Sequence, residues 1–317
     1  MTRVLITGAS GFVGRHLVAQ LVHAGGSDIV GLSSQKRPPI EGGRLLVCDL
    51  RDADLTRRTL EHYQPEIIYH LAGQSHIPRA FAAPAETLVS NAVGQINLLE
   101  GCRSAGIYPV IVSVSSAEIY GAVSPSQIPI NEQQPLNPNN PYASSKAAQD
   151  LYAGQYFASY GMKIVRVRPF NHVGPGQTDR FVVSSFARQI AEVEAGLADP
   201  VVLVGNLDPI RDFLDVRDVV RAYQLVAEES FAGQVFNISS GVGVRIQDVL
   251  DTLIAESTRD IEVRVDPERV RPVEVPEFRG DSSRLTELTG WQPEIPLAQT
   301  LREVLDYWRD QINRTDT

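Results

Sequence analysis

The sequence predicts an α/β fold in which a doubly wound parallel sheet carries a smaller, discontinuous α+β lobe. Short apolar runs rich in β-branched residues alternate with segments of helical apolar spacing over residues 1 to about 168, as such a sheet requires. The first apolar run is followed directly by a glycine-rich turn and then by an amphipathic segment. Beyond residue 168 the alternation ends and Pro-rich loops appear. We therefore expect one chain to build two unequal parts.

The first strand, turn and helix predict a phosphate-binding site. Residues 4–7 are apolar and β-branched, as in a buried parallel strand. Glycines follow at intervals of three, which differs from the common G-x-G-x-x-G pattern. A glycine-rich turn in this position sets backbone N–H groups and a helix N-terminus against a pyrophosphate, which indicates a dinucleotide cofactor. The loop residues that we expect to bind it are Gly8, Ser10, Gly11, Phe12, Val13 and Gly14.

The end of the second predicted strand bears on the choice between NADP and NAD. An acidic residue there would bind the ribose 2′-hydroxyl of NAD, but Ser33 begins a loop, residues 33–37, that contains two basic residues and no carboxylate. The loop therefore favours NADP(H). NAD(H) is kept as the alternative, because the basic side chains are equally well explained as solvated charges. Asp49 and Leu50 follow the third predicted strand, where an adenine would lie. Asp49 would equally well cap the next helix.

Tyr142 and Lys146 form the most informative pair in the chain. They are four residues apart and so lie on one helix face. A nearby ammonium stabilises a phenolate, so we expect Lys146 to lower the pKa of Tyr142 from about 10 toward neutrality. Such a Tyr exchanges a proton with an alcohol or a carbonyl oxygen. Ser116 follows a predicted strand at residues 110–113.

Taken together, these motifs resemble the extended short-chain dehydrogenase/reductase superfamily over essentially the whole chain. Residues 70–73, 114–121 and 168–176 fall in the order that this superfamily shows. The resemblance implies a catalytic set of Ser116, Tyr142 and Lys146, the last two also touching the cofactor. Its further implied cofactor contacts are Leu71, Ala72, Gly73, Pro169 and His172.

The same resemblance implies a domain organisation. A Rossmann-type dinucleotide-binding domain would span residues 1–168, with a returning segment at about 212–240. A nucleotide-sugar-binding lobe would take residues 169–211 and 241–317.

Within the superfamily the chain is most similar to GDP-4-keto-6-deoxy-D-mannose reductases. Residues 170–177, 204–208, 211–219, 271–276 and 289–291 carry this similarity. It implies NAD(P)H-dependent reduction of the C4 keto group to GDP-D-rhamnose or its C4 epimer. A diphosphate needs Arg forks and other donors, and the implied substrate-binding residues are Gln74, Ser75, Ser116, Glu118, Asn171, Arg188, Asn206, Arg211, Arg271 and Glu274.

Glu118 keeps a second activity open. The sister family, the GDP-mannose 4,6-dehydratases, carries a Glu at this place as the base that removes the C5 proton. The neighbouring Ala117 departs from the dehydratase pattern, which favours the reductase. A C4 epimerase of another nucleotide sugar is a weaker alternative. A non-catalytic relative on the same fold is disfavoured because such proteins typically lose the Tyr or the Lys, and both are present here.

Composition limits the partners and the location. The 317 residues are 43% apolar and carry a net charge of −9, which argues against nucleic-acid binding. Two Cys in apolar surroundings, no apolar run of about 20 residues and no room for a signal peptide predict a cytoplasmic protein without a membrane span. The His and Cys residues lack metal-ligand spacing, so we expect no metal. Apolar helix faces at residues 91–105 and 142–160 predict, by the superfamily resemblance, a homodimer.

Overall fold

The computed structural model describes residues 1–269 and 275–315. The strands in these residues are β1 (Thr2–Thr7), β2 (Ser27–Ser33), β3 (Arg44–Val47), β4 (Ile67–His70), β5 (Val110–Val114), β6 (Ile164–Pro169), β7 (Asn171–Val173), β8 (Val201–Val204), β9 (Ile210–Asp215), β10 (Val235–Ile238), β11 (Gly243–Arg245), β12 (Glu262–Val265) and β13 (Glu277–Phe278). The α-helices are α1 (Phe12–Ala24), α2 (Ala53–Tyr63), α3 (Ile77–Ala82), α4 (Pro84–Leu88), α5 (Gly94–Ser104), α6 (Pro141–Tyr160), α7 (Val182–Glu194), α8 (Val216–Leu225), α9 (Ile246–Ala255), α10 (Ser283–Thr289) and α11 (Leu297–Thr315).

The main sheet is parallel and, within the described residues, has seven strands in the order β3-β2-β1-β4-β5-β6-β10. One hydrophobic cluster joins it to α1 and α8, and another joins its opposite face to α2, α5 and α6. This is the doubly wound α/β sheet that the sequence predicts. Thr7 pairs in register with Leu32 on one side and His70 on the other, so β1, β2 and β4 deliver their following loops to one edge. Ligands bind at that edge in open α/β sheets.

The smaller lobe has its own sheets and core. β9 pairs with β7, β11 and β13, and β12 pairs with β8. The helices α7, α9 and α11 pack around a separate hydrophobic cluster that includes Phe186, Leu250 and Leu305. The lobe therefore folds against the sheet edge as a second body of α+β structure.

The chain returns to the main sheet between β9 and β10. β10 adds to the edge of the main sheet beside β6, and α8 joins the cluster under α1. The predicted returning segment begins at residue 212, but residues 212–215 belong to β9 of the small sheet. β9 serves both cores, since Phe213 packs into the lobe cluster and Leu214 into the main cluster. The boundary thus lies within a strand whose two faces point to different bodies.

Candidate active site

A cavity of about 930 Å³ lies between the carboxyl edge of the main sheet and the lobe. Every residue predicted to bind the cofactor lines it, from the glycine loop to His172. Ser116, Tyr142 and Lys146 line it as well, together with Glu118. The structure therefore brings the predicted cofactor loop and the predicted catalytic side chains into one space.

Three of the predicted substrate residues are not placed in this cavity. Arg188 lies outside its lining and pairs with Asp179 and with Glu192, one helical turn along α7. Its guanidinium is thus engaged in a local ion-pair network. Arg271 and Glu274 lie outside the described residues.

The glycine loop fits a pyrophosphate. Gly8 has φ +72°, and a Cβ there would lie 3.0 Å from the backbone nitrogen of Ala72. A Cβ on Gly14 would come within 2.7 Å of the Ala9 Cα. These glycines let the turn approach the end of β4 and leave the first backbone N–H groups of α1 facing the cavity. A helix N-terminus without an acidic first turn, as here, is a ready anion site.

The part of the cavity at the ends of β2 and β3 has side chains that suit an adenosine. The Ser10 hydroxyl donates to the Ser33 hydroxyl at 3.2 Å, so the glycine loop and the end of β2 are tied together. Asp49 accepts from the Arg51 guanidinium, with an Nη2–Oδ2 distance of 2.6 Å, and this pairing lowers the pKa of Asp49. Arg37 and Arg51 both line the cavity. Basic and hydroxyl side chains at this end match the predicted preference for NADP(H).

Helix α6, which carries Tyr142 and Lys146, begins at Pro141, directly after its N-cap residue. The Asn140 side chain accepts from the Ala143 N–H at 2.8 Å, and Pro141 occupies the first turn. Tyr142 therefore projects from the first turn of α6, toward the sheet edge, with Lys146 one turn further along. Ser116 caps the short 3₁₀ turn Ala117–Tyr120 by accepting from the Glu118 N–H at 3.2 Å.

The pKa of Tyr142 differs from the value that the sequence predicts. Burial raises the pKa of Tyr142 to about 12; the Ser116 hydrogen bond opposes this, and the charge of Glu118 adds to it. The expected lowering by Lys146 is wrong for this structure, because its ammonium donates instead to the Val114 carbonyl and to Gln149 Oε1, both at 2.6 Å. Burial lowers the pKa of Lys146 to about 7. Helical spacing places Tyr142 and Lys146 one turn apart on α6, but it does not set the direction of the ammonium.

Asn91 is a residue that supports the site and that the sequence reasoning missed. It lies in a π-helical turn, Val89–Val93, and is fully buried. Its amide accepts from the Gln74 N–H at 2.7 Å and donates to the Ser145 hydroxyl at 2.9 Å. Ser145 in turn donates to the Tyr142 carbonyl. Asn91 thus joins the loop after β4 to the start of α6. A π-turn often marks a functional site, but no pattern in the sequence announces one.

A buried ionic network holds α6, the helix that carries Tyr142 and Lys146, against β6. Asp150, on α6, accepts from Arg168 of β6 at 2.9 Å and 3.0 Å. Arg168 also donates to the Tyr120 hydroxyl at 2.9 Å, and that hydroxyl donates to Asn237 at 2.7 Å. Asp150 and Asn237 are fully buried. The network fixes α6, β6, β10 and the turn after Ser116 relative to one another.

The lobe end of the cavity is cationic. Arg211 lines it and donates to the carbonyls of Ile210 and Val275, both at 2.8 Å. Arg180 and Arg269 line it too, although the sequence reasoning did not single them out. Asn206 and Asn171 add amide groups to the same wall. Guanidinium and amide donors are what a diphosphate requires.

Comparison with known proteins decides the family. A family model described as GDP-mannose 4,6 dehydratase matches residues 5–304. The chain belongs to this family. The predicted resemblance is therefore confirmed, and the matched span includes both the main sheet and most of the lobe.

The relatives of this chain are named for more than one activity. A GDP-6-deoxy-D-mannose reductase from Pseudomonas aeruginosa is 38% identical over 98% of both chains. A UDP-glucose 4-epimerase from Mycolicibacterium smegmatis is 31% identical over 98% of this chain and 99% of its own. Among solved structures, that of RMD from Pseudomonas aeruginosa complexed with NADPH has a TM-score of 0.88 and 37% identity, covering 98% of this chain and all of its own.

Proposed function

We propose that the protein uses NADPH to reduce the C4 keto group of GDP-4-keto-6-deoxy-D-mannose, giving GDP-D-rhamnose or its C4 epimer. The observation that carries this proposal is the meeting of Ser116, Tyr142 and Lys146 with the glycine loop in one cavity. The full-length similarity to a GDP-6-deoxy-D-mannose reductase supports the substrate, and the NADPH in a solved relative supports the cofactor. NADH is the alternative cofactor.

The side chains supply the proton and the orientation for this reaction. Bound NADPH supplies the hydride that adds to the C4 carbon. Tyr142 is protonated at neutral pH because burial raises its pKa to about 12, so it donates its proton to O4 as negative charge develops there. The Ser116 hydroxyl hydrogen-bonds Tyr142 and aligns the phenol with the substrate oxygen. One hydride and one proton convert the carbonyl to an alcohol.

Lys146 has a supporting role in the same step. Its ammonium is buried, and its pKa of about 7 places it in proton exchange at neutral pH. The ammonium donates to the Val114 carbonyl at 2.6 Å and so ties the first turns of α6 to the end of β5. Lys146 is therefore proposed to hold the start of α6 in place and to contact the bound cofactor, and not to lower the pKa of Tyr142.

A second candidate function is that of a GDP-mannose 4,6-dehydratase with bound NADP. Glu118 lines the cavity, and its charge raises the pKa of Tyr142, so a carboxylate lies near the reacting groups. Such a carboxylate is what removal of a C5 proton would need. Under this function Glu118→Gln abolishes activity, whereas under the reductase it does not.

A paired assay tests both functions. One arm supplies GDP-4-keto-6-deoxy-D-mannose with NADPH or NADH and follows the loss of reduced cofactor. The other supplies GDP-mannose with NADP and looks for the keto-sugar. Cofactor consumption in the first arm alone supports the reductase, and keto-sugar in the second supports the dehydratase. Silence in both overturns both and leaves the C4 epimerase of another nucleotide sugar to be tested next.

We also propose that the protein is a homodimer. Apolar side chains are exposed on neighbouring helices, with Phe81, Leu88 and Leu151 at 62%, 46% and 61%. A contiguous exposed apolar face of this kind marks an interaction surface. Light scattering is expected to give twice the mass of the chain, and Leu151→Glu to give the monomer. Leu288→Glu, at an exposed apolar position on α10, is the control that leaves the dimer intact.

We propose a cytoplasmic location with a small-molecule GDP-sugar as the substrate, and neither a nucleic acid nor a membrane as partner. Among the described residues, no helix combines the length and the apolar character needed to cross a membrane. Cys48 and Cys102 are buried free thiols, as is common in reducing compartments. Fractionation of cells that express the tagged protein tests the location, and recovery outside the cytosolic fraction would contradict it.

A further inference from the structure

His16 lies on α1 and makes a hydrogen bond to the loop that follows β7. It comes one helical turn after Phe12 and shares a face of the helix with it. The His16 Nε2 atom lies 2.9 Å from the carbonyl oxygen of Pro175. Since a carbonyl oxygen only accepts hydrogen bonds, Nε2 carries the proton and His16 is the donor. The bond joins the first helix beside the main sheet to a residue 159 positions further along the chain.

Pro175 belongs to a tight turn between β7 and α7. The Gln177 N–H donates to the Gly174 carbonyl at 3.2 Å, and Gly176 has φ +90°. A type II turn has this arrangement, with Pro and then a residue of positive φ at its two central positions. The Pro175 carbonyl takes no part in closing the turn, so its partner, His16, comes from outside the loop.

The bond from His16 is what fixes this loop, residues 174–181, relative to the main sheet. Among the described residues, the other hydrogen bonds of the 174–181 loop run within the loop, to the end of β7 or to α7. Those partners all belong to the lobe. Aromatic packing accompanies the bond, since the Phe12 ring meets the His16 ring edge-on at a centroid distance of 5.4 Å and lies parallel to the His172 ring at 6.3 Å.

The 174–181 loop forms part of the cavity wall at the lobe end. Its cavity-lining residues are Gln177, Asp179, Arg180 and Phe181. Arg180 is exposed and belongs to the cationic end of the cavity, which suits a diphosphate. His16 and Pro175 do not line the cavity themselves. A change at His16 therefore alters how the loop is held without removing a group from the cavity wall.

We propose that His16 is a positioning residue that holds the 174–181 loop, and Arg180 with it, in place to bind the diphosphate of the substrate. The inference deepens the proposed function and rests on it, because it takes a GDP-sugar as the occupant of the lobe end. The loop carries neither the proton donor nor any of the predicted cofactor contacts. His16 therefore acts on substrate binding and not on the chemical step.

The test compares two variants of His16. Burial lowers the pKa of His16 below its ordinary value, so its ring is neutral at pH 7 and a neutral amide can replace its donor. His16→Phe keeps a ring beside Phe12 and removes the donor, whereas His16→Gln keeps a donor near the position of Nε2.

Steady-state rates with NADPH give KM and kcat for the keto-sugar, calorimetry gives the dissociation constant for GDP, and fluorescence gives that for NADPH. His16→Phe is expected to raise the KM for the keto-sugar and the dissociation constant for GDP roughly tenfold, the effect of about one lost hydrogen bond. Its kcat and its dissociation constant for NADPH should stay close to those of the wild type. His16→Gln should recover most of the loss.

Two controls separate this role from a general effect on folding. His23→Phe makes the same change at an exposed His in the last turn of α1 and should behave as the wild type in every measurement. Hydrogen exchange reports the loop directly. In His16→Phe, exchange should become faster in peptides that cover the 174–181 loop and stay unchanged in those that cover α9.

The other outcomes overturn the proposal. If His16→Phe leaves the KM and GDP binding unchanged, or weakens NADPH binding as much as GDP binding, His16 does not position a substrate loop. If His16→Gln is as impaired as His16→Phe, the donor is not what holds the loop. If the wild type binds NADPH but not GDP, the proposed GDP-sugar substrate is wrong. That result is distinct from equal GDP binding by the wild type and His16→Phe, in which only the role of His16 fails.

Discussion

The ammonium of Lys146 lies 2.6 Å from Gln149 Oε1, one turn further along α6. Gln149 is fully buried, and its own amide nitrogen has no hydrogen-bond partner among the described residues. The side-chain carbonyl of Gln149 therefore accepts a hydrogen bond from Lys146, while the NH₂ of the same amide has no partner among the described residues. Since burial lowers the pKa of Lys146 to about 7, this neutral acceptor is one of the few groups that favour the charged form.

We predict that Gln149 sets the pH at which Lys146 loses its proton. A hydrogen bond to a charged group contributes about 1.5–3 kcal/mol, and one pKa unit corresponds to about 1.4 kcal/mol. Gln149→Leu should thus lower the pKa of Lys146 by about one unit, and Gln149→Glu should raise it. The measurement is the pH profile of kcat/KM for NADPH, which reports the free enzyme. Its alkaline limb should move to lower pH in the first variant and to higher pH in the second; shifts in the same direction would contradict the role.

Tyr142→Phe should lose about 10²- to 10⁴-fold in turnover, because it removes the proton donor. The ring remains, so the dissociation constant for NADPH should stay close to that of the wild type. Steady-state rates and fluorescence titration measure the two quantities separately. Tyr160→Phe, at a 48% exposed position on the same helix, is the control and should behave as the wild type. Near-normal turnover in Tyr142→Phe would rule out the proposed proton transfer.

Features of the site set by local sequence could be predicted, whereas those set by burial could not. The turn at Gly8 and the helical spacing of Tyr142 and Lys146 depend on residues within one or two turns, and they lie where the motifs predict. The direction of the Lys146 ammonium depends on Val114, which comes from a distant strand. Burial then sets the ionisation of Tyr142, and burial is a property of the whole fold.

Long-range contacts explain the residues that were missed. Asn91 bonds Ser145 across 54 positions of sequence, and nothing near it in the chain indicates that contact. Arg188 differs in the reverse way, because a motif context suggested a ligand contact, whereas the structure pairs its guanidinium with Asp179 and Glu192.

Arg37 should determine the preference for NADPH over NADH. It lines the adenosine end of the cavity, whereas its neighbour Lys36 does not. A guanidinium there would bond the 2′-phosphate that only NADPH carries, so Arg37→Ala should weaken NADPH binding roughly tenfold and leave NADH binding unchanged. Lys36→Ala is the matched control. Equal losses for both cofactors in Arg37→Ala would place its contact on a part of the cofactor that they share.

Asp150 should contribute more to stability than any exposed carboxylate. It is fully buried and accepts from two guanidiniums, those of Arg168 and Arg166. Asp150→Asn leaves these charges without their counter-ion, and breaking a buried pair in this way costs about 3–5 kcal/mol. Urea unfolding measures the change in the free energy of unfolding.

The control for Asp150→Asn is the same substitution at an exposed ion pair. Asp28 bonds Arg44 at 3.1 Å with both side chains about half exposed, so Asp28→Asn should cost less than about 1 kcal/mol. The comparison holds the chemistry of the change constant and varies burial and the number of partner guanidiniums. If both variants unfolded at the same urea concentration, the buried network would not be what holds α6 to β6. The position of Tyr142 would then depend on the capping of α6 and on Asn91 alone.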